Sequence, residues 1–240
     1  MPLYAQLESI LAAEICAGRL PPGDQIPKED ELVKRYAVSR TTVRQTIQNL
    51  IRRGLIEIRR GKGTFVLQPK ITQELTQLTG FVEDMQSLRR NASARVLDRQ
   101  TLPASGSVAR QLAITAGTPV IRIQRVRLAD KSPLSFDETW LPREIGERIL
   151  EHDLETEPIF SLLEQKYNTP LVEAEYRLEA VSADPTVARA LGIVAGSPIF
   201  LIERTSYTTG HQPVDYEQLY YRGDQIRFVT RLARRPRGTQ

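Results

Sequence analysis

The 240-residue sequence predicts an α+β chain in two parts: a small N-terminal unit of three helices closed by a hairpin, and a larger antiparallel-sheet domain with helices. Two observations carry that prediction. Early in the chain, three apolar stripes at helical spacing precede two short alternating runs joined by glycines. Later, one segment occurs twice at a fixed offset, the mark of an internal duplication.

Composition sets the outer bounds. Hydrophobic residues make up 40% and charged residues 26%, enough apolar surface for real cores and a well-solvated exterior, which argues against disorder. No apolar run approaches the roughly 20 residues of a spanning helix, and Met1-Pro2-Leu3-Tyr4 is not a secretory leader, so a cytoplasmic protein with no membrane partner is expected. The single cysteine, Cys16, is expected to pack, and with only His152 and His211 beside it no metal or other cofactor is expected. Charge is uneven: residues 1–70 hold 12 Lys+Arg against 7 Asp+Glu, whereas residues 71–240 hold 21 against 22. A basic module joined to a neutral one fits a nucleic-acid binder with a partner domain, although a solvated basic surface looks the same.

Leu3, Leu7, Ile10, Leu11 and Ile15 predict a first helix over residues 3–17, ended by Gly18. A second helix is predicted over residues 28–36, with Pro27 at its start, Glu29, Asp30 and Glu31 complementing its dipole, and Leu32 and Val33 inward. Ser39 then reads as the N-cap of a third helix reaching residue 53, whose buried stripe is Val43, Ile47, Leu50 and Ile51. The opposite face of that helix carries Arg40, Arg44 and Gln48 four apart, flanked by Thr41, Thr42 and Gln45, and no acid. Arginine can grip guanine bidentately and hydroxyls can hold phosphates, so this face suits a major groove; a merely solvated helix face is the plainer alternative.

Residues 56–59 and 64–67 read as two strands joined by Arg60-Gly61-Lys62-Gly63, whose glycines permit positive φ and whose tip is basic. Between Ser39 and Lys62 seven basic residues face only Glu57. The fragment Gly61-Lys62-Gly63-Thr64 lacks Walker spacing and sits in a hairpin, so no nucleotide loop is read there.

Pro2-Leu3-Tyr4, Leu20-Pro21-Pro22-Gly23-Asp24, Val38-Ser39-Arg40-Thr41-Thr42-Val43-Arg44-Gln45 and Gly61-Lys62-Gly63-Thr64-Phe65-Val66 resemble the GntR family of bacterial regulators, which read DNA with a winged helix-turn-helix. The resemblance implies base contacts by Arg40 and Arg44, phosphate contacts by Thr41 and Thr42, and approach of the wing glycine Gly61 to the minor groove; Ser39, Gln45, Arg60 and Lys62 are expected at the same DNA-binding surface, Gln45 to a phosphate or a base. Two positions depart from the family pattern: Lys28 stands where a capping serine is usual, and Asp30 where a DNA-contacting arginine is common. A phosphate contact by Lys28 and an operator unlike that of familiar relatives are the consequences. The expected domain organisation is a winged helix-turn-helix at 1–67, a linker at 68–74 containing Pro69 and Lys70, and an effector domain at 75–240.

The duplicated segment begins Ser107-Val-Ala-Arg-Gln-Leu in the first copy and Thr186-Val-Ala-Arg-Ala-Leu in the second, and the register runs through Arg125 and Arg204 to Pro133 and Pro213. Each copy reads as a strand, a short helix and a hairpin, too small to bury both faces alone, so the two are expected to join one antiparallel sheet. Along the strand at residues 120–128, Ile121, Ile123, Arg125 and Arg127 share a face by the two-residue period. Two arginines on an apolar stripe need partners, either Asp137 or Glu217, or the carboxylate or phosphate of a ligand; both readings stand.

Leu78-Thr79-Gly80-Phe81-Val82-Glu83-Asp84-Met85, Arg125-Val126-Arg127-Leu128-Ala129-Asp130 and Tyr221-Arg222-Gly223-Asp224 resemble the effector (UTRA) domain of the HutC subfamily, which is similar to chorismate lyase in fold. That resemblance implies an effector pocket lined by Arg125, Arg127, Asp137, Asp215 and Tyr221, joined by Glu217, with Gly80 and Phe81 closing one side. Asp137 and Asp215 replace the glutamates common in relatives, and Pro158-Ile159-Phe160 replaces a Ser-Leu-Tyr that helps bind phosphorylated sugars, so Phe160 is expected at the pocket of a smaller polar or anionic effector. The functional expectation is a homodimeric transcriptional regulator, by default a repressor, reading a palindromic double-stranded operator with half-sites about 34 Å apart. An enzyme is the rival, because of the lyase-like fold, but no nucleophile elbow, metal cluster or catalytic acid–base pair is read. The basic tail of Arg231, Arg234, Arg235 and Arg237 is given no role.

Overall fold

In the computed structural model, which describes residues 1–67 and 70–233, the chain separates into a first unit, Met1–Lys70, and a second beginning at Ile71. Helices α1 (Leu3–Cys16), α2 (Glu29–Tyr36) and α3 (Arg40–Arg52) enclose a core built on Leu7, Leu11, Ile15, Leu32, Val43, Ile47 and Leu50. The buried side of α1 is narrower than its apolar pattern suggested: Leu3 and Ile10 are 58% and 44% exposed and Cys16 is exposed as well. Leu7, Leu11 and Ile15 form a single four-residue row widened only by Ala12, so the helix meets its neighbours along one ridge. Thr46 is the polar exception in the core of α3; its hydroxyl donates to the Tyr4 carbonyl at 3.0 Å and fixes α3 against α1. Glu31 accepts the Lys28 N–H at 3.3 Å, the half of a capping box that needs no serine, while the Glu31 N–H goes to the Lys28 carbonyl at 2.9 Å.

Strands β1 (Ile56–Arg59) and β2 (Gly63–Val66) form the hairpin, with the buried pair Ile56 and Val66 anchoring it. A third stretch of backbone joins them: the N–H groups of Gly23 and Ile26 donate to the carbonyls of Val66 and Thr64, both at 2.9 Å. Gly63 takes a φ of 128°, a backbone conformation that strains any residue with a side chain.

The second unit holds a six-stranded antiparallel sheet in the order β4 (Ala92–Pro103), β5 (Pro119–Ala129), β6 (Ser132–Pro142), β9 (Gln212–Arg222), β8 (Pro198–Thr208), β7 (Glu173–Ser182). The duplication seen in the sequence is thus a structural one: β4–β5–β6 and β7–β8–β9 meet at the β6–β9 seam. Each copy carries its own short helix, α5 (Gly106–Gln111) capped by Ser105 and α8 (Pro185–Leu191) capped by Asp184. Each also carries a register shift at the equivalent place, between Arg127 and Leu128 and between Ser206 and Tyr207.

Both faces of the sheet are covered. On one, Val187 and Leu191 of α8 pack on Val126 and Phe136, and Val108 of α5 packs beside Val120 and Tyr216. On the other lie α4 (Phe81–Ser87), α6 (Arg143–Leu150) and α7 (Ile159–Ser161), the last running on through a π-helical turn, Leu162–Lys166. Gly146 lets α6 lie flat on β5, since a Cβ there would sit 2.5 Å from Ile121 Cγ1.

The expected linker at 68–74 needs correcting. Ile71–Glu74 is a strand, β3, paired in parallel with β10 (Ile226–Val229), and its Ile71 and Gln73 are buried. A four-residue strand with a single aliphatic residue, whose partner lies at the far end of the domain, has no local periodicity to betray it. The second domain therefore begins before Leu75. Arg234, Arg235 and Arg237 of the basic tail lie outside the described residues, and Arg231 is exposed. Among the described residues no helix is long and apolar enough to cross a membrane.

Candidate nucleic-acid interface and ligand cavity

Helix α3 turns its aliphatic side into the core and presents Arg40, Thr41, Arg44 and Gln45 outward, while Lys28 is exposed just before α2, and Arg60, Gly61 and Lys62 at the hairpin tip. Ser39 and Thr42 serve the helix start: Ser39 Oγ accepts the Thr42 N–H at 3.1 Å and lies 2.9 Å from the Thr42 hydroxyl. At the tip, the Lys62 N–H donates to the Arg59 carbonyl at 2.9 Å, and Gly61 takes a φ of 75°. Arg59 stacks on Phe65 and pairs with Glu57, which leaves Arg60 and Lys62 as the outward cations of the hairpin.

The recognition face is not free of acids, as α3 alone suggested. Arg40 Nη2 lies 3.0 Å from Asp30 Oδ1, and Arg44 Nε donates to Glu29 Oε2 at 3.0 Å, both acids coming from the first turn of α2. Those carboxylates were read as complements of the α2 dipole only; the packing of α2 beside α3 gives them a second task. Exposure decides what the pairs mean. The two arginine side chains remain 68% and 66% exposed, and ion pairs so placed contribute about 0–1 kcal/mol. Pairs held this weakly leave both guanidiniums with donors directed to solvent.

In the second unit, a buried cluster of charge sits on the sheet face below α4 and α7. Arg125, Arg127, Arg204, Asp137, Asp215 and Glu217 are all buried. Arg127 Nε donates to Asp137 at 2.8 Å, and Ser135 donates to the other Asp137 oxygen at 2.7 Å. Glu217 accepts from Arg204 and from Thr139 and lies 3.7 Å from Arg125 Nη2. Aromatic rings cover two of the guanidiniums: Phe81 lies 5.5 Å from that of Arg127, and Phe160 lies 4.4 Å from that of Arg204. A small cavity of about 20 Å³ opens among Phe81, Arg127, Asp137, Arg204, Glu217 and Tyr221, with Tyr176, Asp84 and Gln73 at its rim. That volume holds one water.

The description "Bacterial regulatory proteins, gntR family" matches residues 3–66, and the UTRA domain matches residues 87–227, more than half of the chain. The chain belongs to the GntR family, in its UTRA-bearing branch. HTH-type transcriptional repressor NagR of Bacillus subtilis is 33% identical over 95% of this chain and 94% of its own length. The histidine utilization repressor of Pseudomonas putida is 28% identical over 97% of this chain and 93% of its own. The crystal structure of PhnF from Mycobacterium smegmatis superposes with a TM-score of 0.69 at 26% identity, covering 98% of this chain and 100% of that one. A transcription regulator of a repressor family, with a DNA-binding unit and an effector domain, is what these relations support.

Within this GntR-family effector domain, burial and neighbours set the ionisation of the cluster. Burial first, then the charge of Glu217, push Asp215 up to about 7. Burial also raises Asp84, against the hydrogen bond from Thr79. Burial opposes ionisation of Glu217 too, but Arg204 and Arg125 outweigh it and hold that carboxyl below its ordinary value. Burial and the neighbouring Arg127 bring Arg125 down to about 9, still protonated at neutral pH. Several buried atoms have no partner: Nε and Nη1 of Arg125, Nε of Arg204, Oδ2 of Asp215 and Oγ of Ser206.

Of the residues expected to bind effector, Phe81, Arg127, Asp137, Glu217 and Tyr221 border the cavity directly. Phe160 reaches it through Arg204, and an added Cβ at Gly80 would be 3.5 Å from Phe160, so Gly80 backs that ring. Arg125 lies underneath, touching Glu217 and Thr139, and Asp215 accepts the Ser206 N–H at 3.3 Å away from the cavity border. Both strand arginines meet the acids the sequence offered, Arg127 with Asp137 and Arg125 with Glu217 at 3.7 Å, and Arg125 keeps two unfilled donors besides. Sequence reading missed Arg204, Asp84, Gln73 and Tyr176. For Arg204 a signal existed, because the repeat register equates it with Arg125.

Proposed function

We propose that this GntR-family chain is a homodimeric repressor whose operator affinity responds to a small anionic or zwitterionic metabolite held by the buried arginine cluster. The observation that carries the reading is the buried arginine cluster at the cavity: Arg127 and Arg204 border it, Arg125 lies beneath, and their acid partners are Asp137 and Glu217; the cavity, one water in volume here, has to widen to admit the ligand. The unfilled Nε of Arg204, a residue that borders the cavity, favours an acceptor group on the ligand. Pro158 brings no N–H to the start of α7, which argues against a sugar phosphate and for a carboxylate, phosphonate or amine-bearing acid.

Two copies of α3 in a symmetric dimer would address half-sites about 34 Å apart, one helical turn of DNA. Ligand would act by binding one dimer geometry better than the other, shifting the population between operator-competent and incompetent forms. Calorimetry against a panel of amino acids, hydroxy acids, phosphonates and sugar phosphates, followed by gel shifts with each binder, tests this. Micromolar binding of a small acid that lowers operator affinity is the expected result; binding by sugar phosphates alone, or no effect of any binder on the operator, would overturn it.

A further inference from the structure

We propose that Asp30 is itself a base-reading residue, whose carboxylate accepts the N4 amine of a cytosine in the base pair adjoining the guanine taken by Arg40. The proposal rests on the DNA-reading assignment of α3 and deepens it. Three acids occupy the first turn of α2: Glu31 holds the Lys28 N–H, while Glu29 and Asp30 each reach an arginine of α3, Arg44 and Arg40. Asp30 is the more open of these two, 67% exposed against 39% for Glu29. Its Oδ1 meets Arg40 Nη2 at 3.0 Å with both side chains about two-thirds exposed, so the carboxylate is presented at the surface beside the first residue of the recognition helix.

A carboxylate carried on a face that approaches phosphates weakens sequence-independent attraction. It is compatible with tight binding where its oxygens meet a donor, and the donors on major-groove edges are cytosine N4 and adenine N6. Adenine sets its N7 acceptor next to that amine, which would repel the second carboxylate oxygen, whereas cytosine sets a C5–H there. Cytosine is therefore the base that fits. The ion pair also orients Arg40, so the two side chains present a donor and an acceptor side by side, matching a guanine and a neighbouring cytosine.

The test is selection from randomised duplexes with the full chain, Asp30→Asn and Asp30→Arg, each checked for an unchanged circular-dichroism melt. Anisotropy titrations then follow, on the selected site and on a version with the cytosine changed to thymine, across a salt series. The unmodified chain should prefer cytosine about tenfold at one position in each half-site. Asp30→Asn should lose that preference to within twofold while keeping the rest of the motif, and its salt slope should steepen by about one, as expected for one less repelled charge. Asp30→Arg should replace cytosine with guanine there. If both variants select the original motif with undiminished preference, Asp30 reads no base and the proposal falls while the DNA assignment stands. If the unmodified chain selects no motif at all, the DNA assignment itself fails and takes this with it.

Discussion

The two domains use the same chemical pair, arginine with a carboxylate, in opposite surroundings. On the first unit, Arg40–Asp30 and Arg44–Glu29 lie at a wet surface; in the second, Arg204–Glu217 and Arg127–Asp137 are enclosed between the sheet and its covering helices. In water the attraction between such charges is largely offset by lost hydration, so the exposed pairs are held weakly and open at little cost. Away from water the same pairs cannot be opened cheaply, because each ion released would be left uncompensated in a poorly polarisable interior. Exchange is thus built into one end of the chain and resistance to exchange into the other.

The largest effect that tests the contrast is removal of one buried partner. Glu217→Ala leaves Arg204 and Arg125 without their shared carboxylate and should lower the stability of the second domain by about 3–5 kcal/mol. Trp140, the single tryptophan, lies in β6 of that domain, so its fluorescence in a urea titration follows that unfolding. A loss below about 1 kcal/mol would mean the buried cluster behaves like the surface pairs and would break the comparison.

Asp215 gives the next effect, through pH. Its carboxyl, ordinarily near 3.8, is raised to about 7 by burial and by Glu217, so between about pH 4 and 7 the folded chain keeps a proton that the unfolded chain has released. Stability contributed by this group therefore falls as pH rises through that window, with a slope of up to about 1.4 kcal/mol per unit. Asp215→Asn cannot ionise and should gain on the unmodified chain between pH 5 and pH 8 in the same urea assay. Parallel profiles would show that Asp215 does not titrate in that window.

Arg44→Ala, at the exposed end of the scale, should weaken binding to a selected operator by about 1–3 kcal/mol, roughly five- to 150-fold, with the Trp140 unfolding curve unmoved. Unchanged operator affinity would show that α3 does not read bases through this arginine.

These contrasts also show what a linear sequence can and cannot disclose. The three helices, the basic hairpin and the duplicated strand–helix–hairpin unit were readable because each is written in local periodicity, caps and glycines, such as the Val43, Ile47, Leu50 stripe and the cap at Ser39. Arg127, Asp137 and Tyr221 were found at the cavity through strand alternation and family resemblance. What escaped was every relation that depends on two distant segments lying side by side. Asp30 and Glu29 belong to α2 by sequence and to the recognition face by packing; Asp84, Gln73 and Tyr176 reach the cavity from three separate elements; and β3 finds β10 only in the folded domain.

That last pairing has a consequence for the chain's ends. The segment that enters the second domain is held along its length by the segment that leaves it, so entrance and exit form a single latch. Trimming the chain from Ile226 onward would leave all six strands of the main sheet intact and still unfasten the peptide on which the first domain is carried.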